Sequence, residues 1–157
     1  MPDDLYDRDI LAWSENQASL LRRVARGERV NEVDWDHVIE EVEDVGLSEL
    51  HSVESFLELI LVHLLKIRIW QDSDALNLWR AELVSVQGNG RRRFAPSMTQ
   101  RIDLADLYRN ALKQVAILDR KGGLADMPAS CPFTVAQLLT EECGTLEQQF
   151  QATASPG

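Results

Sequence analysis

An all-α fold, a single-domain bundle of five or six helices around a central buried helix, is what this 157-residue chain predicts. Three observations carry that reading. Apolar residues recur three and four positions apart in segment after segment, and no convincing alternating strand, repeat or low-complexity tract interrupts them. Side chains able to cap helices stand before most of these stripes. Residues 56–70 are apolar nearly all round, broken only by Glu58, His63, Lys66 and Arg68, the composition of a helix with neighbours on most sides.

The first helix is expected over residues 8–27, with Asp7 as cap and Tyr6 and Leu11 at staple positions. Its stripe is Ile10, Trp13, Leu20, Leu21 and Val24, and Gln17 falls inside it, so Gln17 should be buried and hydrogen-bonded. Residues 33–70 form the organising segment, capped by Asp34 with Val33 and Val38 as its staple. Gly46 is its weak point, because glycine costs roughly 1 kcal/mol against alanine inside a helix, and a kink or break is expected there. At about 100° per residue His63 projects with Leu59, Ile60, Ile67 and Trp70, into the core.

Asp72 or Ser73 can cap a third helix with Leu76, Trp79, Leu83 and Val86 as its stripe and Arg80 at the stripe's edge. The glycines at 88 and 90 can end it, or Arg91, Arg92 and Arg93 can continue it. Beyond Pro96, Ser97 and Gln100 have capping-box spacing. Asp103 opens a helix carrying Leu104, Leu107, Ala111, Val115 and Leu118, closed by Gly122. Residues 121–128 read as a loop. Thr134 and Gln137 form the last capping box, with Phe133 and Leu138 as staple and Leu139, Leu146 and Phe150 continuing the stripe, and the tail is expected to fray from about Ala152.

A net charge of −10 and a pI near 4.7 argue against general binding to nucleic acid or to an anionic membrane, both of which use basic patches. Four polar residues within residues 56–70 argue against a membrane span. Cys131 and Cys143 lie far apart and in no CxxC arrangement, which suggests buried thiols in a reducing compartment. The acidic N-terminus lacks the apolar core of a signal peptide, so the expected location is the cytoplasm.

The residues able to do chemistry gather in the central segment. Residues 30–65 hold ten acids and no Lys or Arg. One reading is a buried polar network in which Glu40, Glu43 or Asp44 pairs with Arg80 while His63 and Gln17 add hydrogen bonds. Removal of a buried partner typically costs about 3–5 kcal/mol, so Arg80→Ala is expected to destabilise. The other reading is a divalent-metal site. Glu40 and Glu43 give the first half of the paired carboxylate motifs by which all-α nucleotide pyrophosphatases hold magnesium, and His63 could add a ligand for zinc or iron. The second carboxylate pair is missing at the expected distance; Asp103 and Asp106 are the nearest substitute. His37, His51 and His63 lack the spacing by which two ligands share a helix face. No catalytic residue is assigned: neither cysteine has a histidine nearby, and no nucleophile elbow or phosphate-binding glycine loop is present. The arginine run at 91–93, with Arg101, reads as a solvated face that balances the acids.

Leu5-Tyr6-Asp7 with Trp13 and Gln17, Val33-Asp34-Trp35, the run from Glu40 to Gly46, Glu49, residues 61–66, Trp79-Arg80, Cys131-Pro132-Phe133-Thr134 and Gln137-Leu138-Leu139 together resemble the bacterial family catalogued as domain of unknown function twenty-nine. The resemblance spans nearly the whole chain and implies an all-helical domain of about this length with no established activity. It departs from the family's pattern at Gly88 and Gly90, where the usual form is a longer uninterrupted charged helix. The functional expectation is a small cytoplasmic protein-interaction or regulatory module, with a protein partner or self-association, no nucleic acid or membrane partner and no cofactor. The alternative is a hydrolase dependent on magnesium or another divalent metal.

Overall fold

A computed structural model of the protein describes residues 3–153, with side chains from Leu5 onward. The chain divides into two compact units, Met1–Ser48 and Glu49–Gly157. Among the described residues the regular structure is entirely helical: α1 (Asp3–Arg8), α2 (Ile10–Ala25), α3 (Trp35–Ile69), α4 (Leu76–Arg93), α5 (Leu104–Leu118), α6 (Val135–Thr140) and α7 (Cys143–Ala152), with 3-10 turns at Pro96–Met98 and Gly123–Asp126. The tail beyond Thr153, where fraying is expected, lies outside the described residues.

Among the described residues seven helices stand where five or six are expected: α1 precedes the expected first helix, and the last segment divides. The first helix begins at Ile10 and not at residue 8. Asp9, with non-helical backbone, accepts from the Ala12 amide and separates α1 from α2, so Asp9 takes the capping role expected of Asp7. The last helix divides at Glu141 and Glu142, both extended, after a Thr134–Gln137 capping box that forms as expected. Helix α4 also starts later than expected, at Leu76, with no side-chain cap; Ser73 accepts instead from the Ala75 amide. Ser97 lies within the first 3-10 turn, and Asp103 caps α5 through the Asp106 amide.

The expected break at Gly46 does not occur. Helix α3 runs unbroken for 35 residues, about 50 Å at 1.5 Å per residue. An exposed glycine with open space around it lowers the helix preference locally without supplying an alternative set of hydrogen bonds, and the turns on either side hold the ladder. Helix α4 likewise continues through Gly88 and Gly90 to Arg93. Gly90 is a packing requirement: a Cβ there would stand 2.8 Å from Leu139 Cδ2 and 3.6 Å from Phe56 Cβ, so its bareness lets α4 approach α6. Gly90→Ala is expected to lower stability by about 1–2 kcal/mol despite alanine's better helix propensity, whereas Gly46→Ala should raise it by about 0.5–1 kcal/mol. Urea midpoints of the two variants moving in the same direction would contradict this account.

In the second unit the core is built on the C-terminal half of α3. Leu57, Ile60, Leu61, Leu64 and Leu65 are fully buried, joined by Leu83, Tyr108, Ala111, Val115, Leu138, Leu139, Leu146 and Phe150. His63 lies in this surround, buried as its helical position predicts.

Candidate functional site

In the first unit the residues around Asp34 form a tight cluster. Asp34 accepts from Trp13 Nε1 at 3.1 Å and sits 2.6 Å from His37 Nδ1, while its backbone amide donates to Gln17 Oε1 at 2.8 Å. The Tyr6 ring stacks on His37 with centroids 3.8 Å apart and meets Trp13 edge-on at 4.9 Å. The Tyr6 hydroxyl donates to Glu41 Oε1 at 2.6 Å. The cluster therefore ties α1 and α2 to the first turns of α3, and Asp34 is a helix cap that also takes two side-chain donors.

Its electrostatics follow from these bonds. Burial pushes the Asp34 carboxyl upward, but the bonds from His37, Trp13 and the His37 amide outweigh it and hold Asp34 below its ordinary value. The bond to Asp34 raises His37, against partial burial, with Asp34, Glu40 and Asp7 adding attraction. Tyr6 is pushed up to about 12, first by its bond to Glu41. The imidazole is oriented by a carboxylate, as in a general base, but the side chains around it are Asp34, Tyr6 and Trp13, and none is an activated nucleophile.

In the second unit His63 shows the opposite behaviour. Its Nδ1 is buried without a hydrogen-bond partner, and Nε2 lies 3.4 Å from Glu82 Oε2. Burial lowers its pKa; Glu82 opposes this and Lys66 adds to it. The two histidines should thus respond to pH with opposite signs. A raised His37 contributes stability that is full below its unfolded pKa of about 6.5 and is lost as pH rises through the higher folded value. A lowered His63 carries no penalty above about 6.5 and an increasing one as pH falls from there toward its folded value. Melts of wild type, His37→Gln and His63→Gln across this range should show the first substitution cost shrinking as pH rises and the second shrinking as pH falls. Parallel curves for all three proteins would refute the assignment.

The expected pairing of Arg80 with an acid of the central segment is corrected. Arg80 donates to Glu147 on α7, from Nη2 to Oε1 at 2.8 Å and from Nε to Oε1 at 3.0 Å and Oε2 at 3.2 Å, while Nη1 donates to Asn77 Oδ1. Glu40, Glu43 and Asp44 are exposed on α3 and form no buried network. Arg80 is 42% exposed and Glu147 15%, so Arg80→Ala should cost about 1–2 kcal/mol, less than a fully buried pair. A melting temperature equal to wild type would show the pair to be energetically silent.

Of the residues singled out from sequence, Gln17 is buried and bonded and His63 is buried, but the two lie in different units. Among the described residues no group of three His, Cys, Asp or Glu side chains is placed to hold a metal ion, and Glu40, Glu43 and His63 do not form one. Cys131 and Cys143, expected as buried thiols, are free and half-buried, and burial raises both pKa values. In the arginine run, Arg93 pairs with Glu49 of α3 at 3.1 Å and Arg91 donates to the Leu139 carbonyl. Two hollows beside the C-terminal end of α3, of about 390 and 550 Å³, are open and mainly polar, and a third of about 400 Å³ at Ile69 and Trp70 is open too, unlike an enclosed ligand site. No helix among the described residues is long and apolar enough to cross a membrane.

Sequence reasoning missed the surface of the N-terminal half of α3. Trp35 is 50% exposed, Ile39 54%, Val42 69% and Val45 68%. Trp35, Ile39 and Val42 follow i, i+4, i+7 spacing, the spacing of one helix face. On one flank stand the exposed acids Asp36, Glu40 and Glu43. The signal was present as a stripe, but a stripe at this spacing reads as core until burial is known.

The family model described as Domain of unknown function DUF29 matches residues 5–143. The crystal structure of an alpha-helical protein of unknown function from Rhodospirillum rubrum is similar, with a TM-score of 0.68 and 25% sequence identity over 96% of this chain and 98% of that one. No curated protein matches.

Proposed function

We propose that this chain, which belongs to the family described as Domain of unknown function DUF29, acts in the cytoplasm by protein–protein contact, as a small interaction or regulatory module. One observation carries the reading: four large apolar side chains of α3, Trp35, Ile39, Val42 and Val45, stand half or more exposed within three turns of one helix. Single exposed apolar residues are ordinary, but a contiguous group on a rigid element marks a contact surface. The cluster at Asp34 supports this, because it locks the start of the helix and so holds the four side chains in a fixed array. Little ordering entropy is then lost on docking.

The test compares the tagged full chain with an Ile39→Ser/Val42→Ser variant, both recovered from the same bacterial cells. Both residues are exposed, so the variant should melt with wild type. The reading expects a protein retained by wild type in fixed ratio and lost from the variant. Retention of the same proteins in the same amounts by both would overturn it.

A further inference from the structure

Resting on that reading of the α3 face, we propose that its occupant is a cationic amphipathic helix, an apolar stripe flanked by Lys or Arg, laid along residues 35–45. Size is the first argument. From Trp35 to Val45 the exposed stripe runs about 15 Å at 1.5 Å per residue, three turns, matching the i, i+4, i+7 anchors of one docked helix. Its register is also that of a helix-packing face. At 100° per residue, Trp35, Ile39 and Val42 fall within about 60° of one another, the narrow apolar stripe by which one helix packs on another.

Charge selects among occupants. Asp36, Glu40 and Glu43 lie along one side of the stripe, and residues 30–65 hold ten acids and no Lys or Arg. A partner with basic flanks is attracted and steered. A second copy would bring the same acids against these, in a chain of net charge −10, and an anionic lipid surface would be repelled for the same reason. The apolar side chains make the face a docking surface, and the acids decide the sign of what docks.

Titration calorimetry of the full chain with three synthetic peptides of three heptads tests this. The first has Leu on its stripe and Lys on both flanks, the second exchanges Lys for Glu, and the third keeps Lys but exchanges Leu for Ser. The first should bind, with its affinity falling about tenfold or more as salt rises from low to several hundred millimolar. The other two should bind at least about tenfold more weakly. Ile39→Ser/Val42→Ser and, separately, Glu40→Gln/Glu43→Gln should each weaken the first peptide by a similar factor. Equal binding of the Lys and Glu peptides would overturn the charge selection while leaving the contact face standing. Equal binding of the Leu and Ser peptides would overturn apolar docking. A dimer in sedimentation that Ile39→Ser/Val42→Ser abolishes would make the occupant a second copy, and retention on phosphatidylglycerol vesicles would make it a membrane; either result overturns the proposal. Failure of all three peptides overturns it too, and the cell-recovery comparison then decides the contact reading by itself.

Discussion

Replacing Gln87 with leucine is expected to lower stability by about 3 kcal/mol. Gln87 is buried on α4, and its Nε2 donates to the Leu138 carbonyl at 2.9 Å and the Glu141 carbonyl at 2.6 Å. Helix α6 is six residues long, so its last carbonyls have no partners within the helix. The Gln87 amide satisfies that end from outside. Leucine matches the volume but leaves one fully and one partly buried carbonyl without a donor, and each buried acceptor left unpaired costs about 1–3 kcal/mol. Glutamate should be worse at neutral pH, since it brings a charge and no donor. Urea unfolding followed by circular dichroism gives the loss, and amide exchange should rise first in α6. Coincident midpoints for wild type and Gln87→Leu would mean the two bonds contribute nothing.

Gln87 also shows where sequence reasoning stops. Its surroundings, Gln87-Gly88-Asn89-Gly90, look like a helix ending by local propensity. Yet the amide anchors α6 and the bare Cα of Gly90 admits Leu139, both tertiary facts with no local signature. Periodicity worked where burial and period coincide: Ile60, His63 and Ile67 of the central helix, Gln17 on α2, and the staple residues Phe133 and Leu138 are buried as spacing predicts, whereas Leu59, expected inward with His63, is 39% exposed. Capping chemistry worked at Asp34, Asp103 and Thr134, because a cap is decided within four residues.

Partner choice across long sequence separations was not legible. Arg80 carries a charge that demands an acid, and the densest run of acids lies on the central helix, but the pair forms with Glu147, 67 residues away. Charge counting says that a partner exists; only the packing of α4 against α7 says which. The same limit hid the exposed stripe on α3, since Trp35, Ile39 and Val42 share their spacing with residues that are buried. Which half of a long amphipathic helix receives neighbours is a property of the rest of the chain.

The C-terminal helix supplies the other large expected effect. The family model ends its match at residue 143, where α7 begins, yet Leu146 and Phe150 on that helix are buried in the core of the second unit. The Phe150 ring meets Phe133 at 5.6 Å between centroids, tilted by 57°, a favoured aromatic geometry. Phe133 is in turn fixed by the capping box that starts α6, so Phe150 closes the core over the element it packs against. Truncation to alanine removes the ring and leaves a void that surrounding helices can only partly fill, and such changes cost about 3–5 kcal/mol. Phe150→Ala is therefore expected near the middle of that range, and Phe150→Leu, which keeps most of the volume, at about 1–1.5 kcal/mol. The ratio between the two separates packing from a general loss of α7: if the helix were merely appended, both substitutions would leave the urea midpoint unchanged. If instead the two variants were equally and strongly destabilised, the aromatic pair rather than the filled volume would be holding α7 in place.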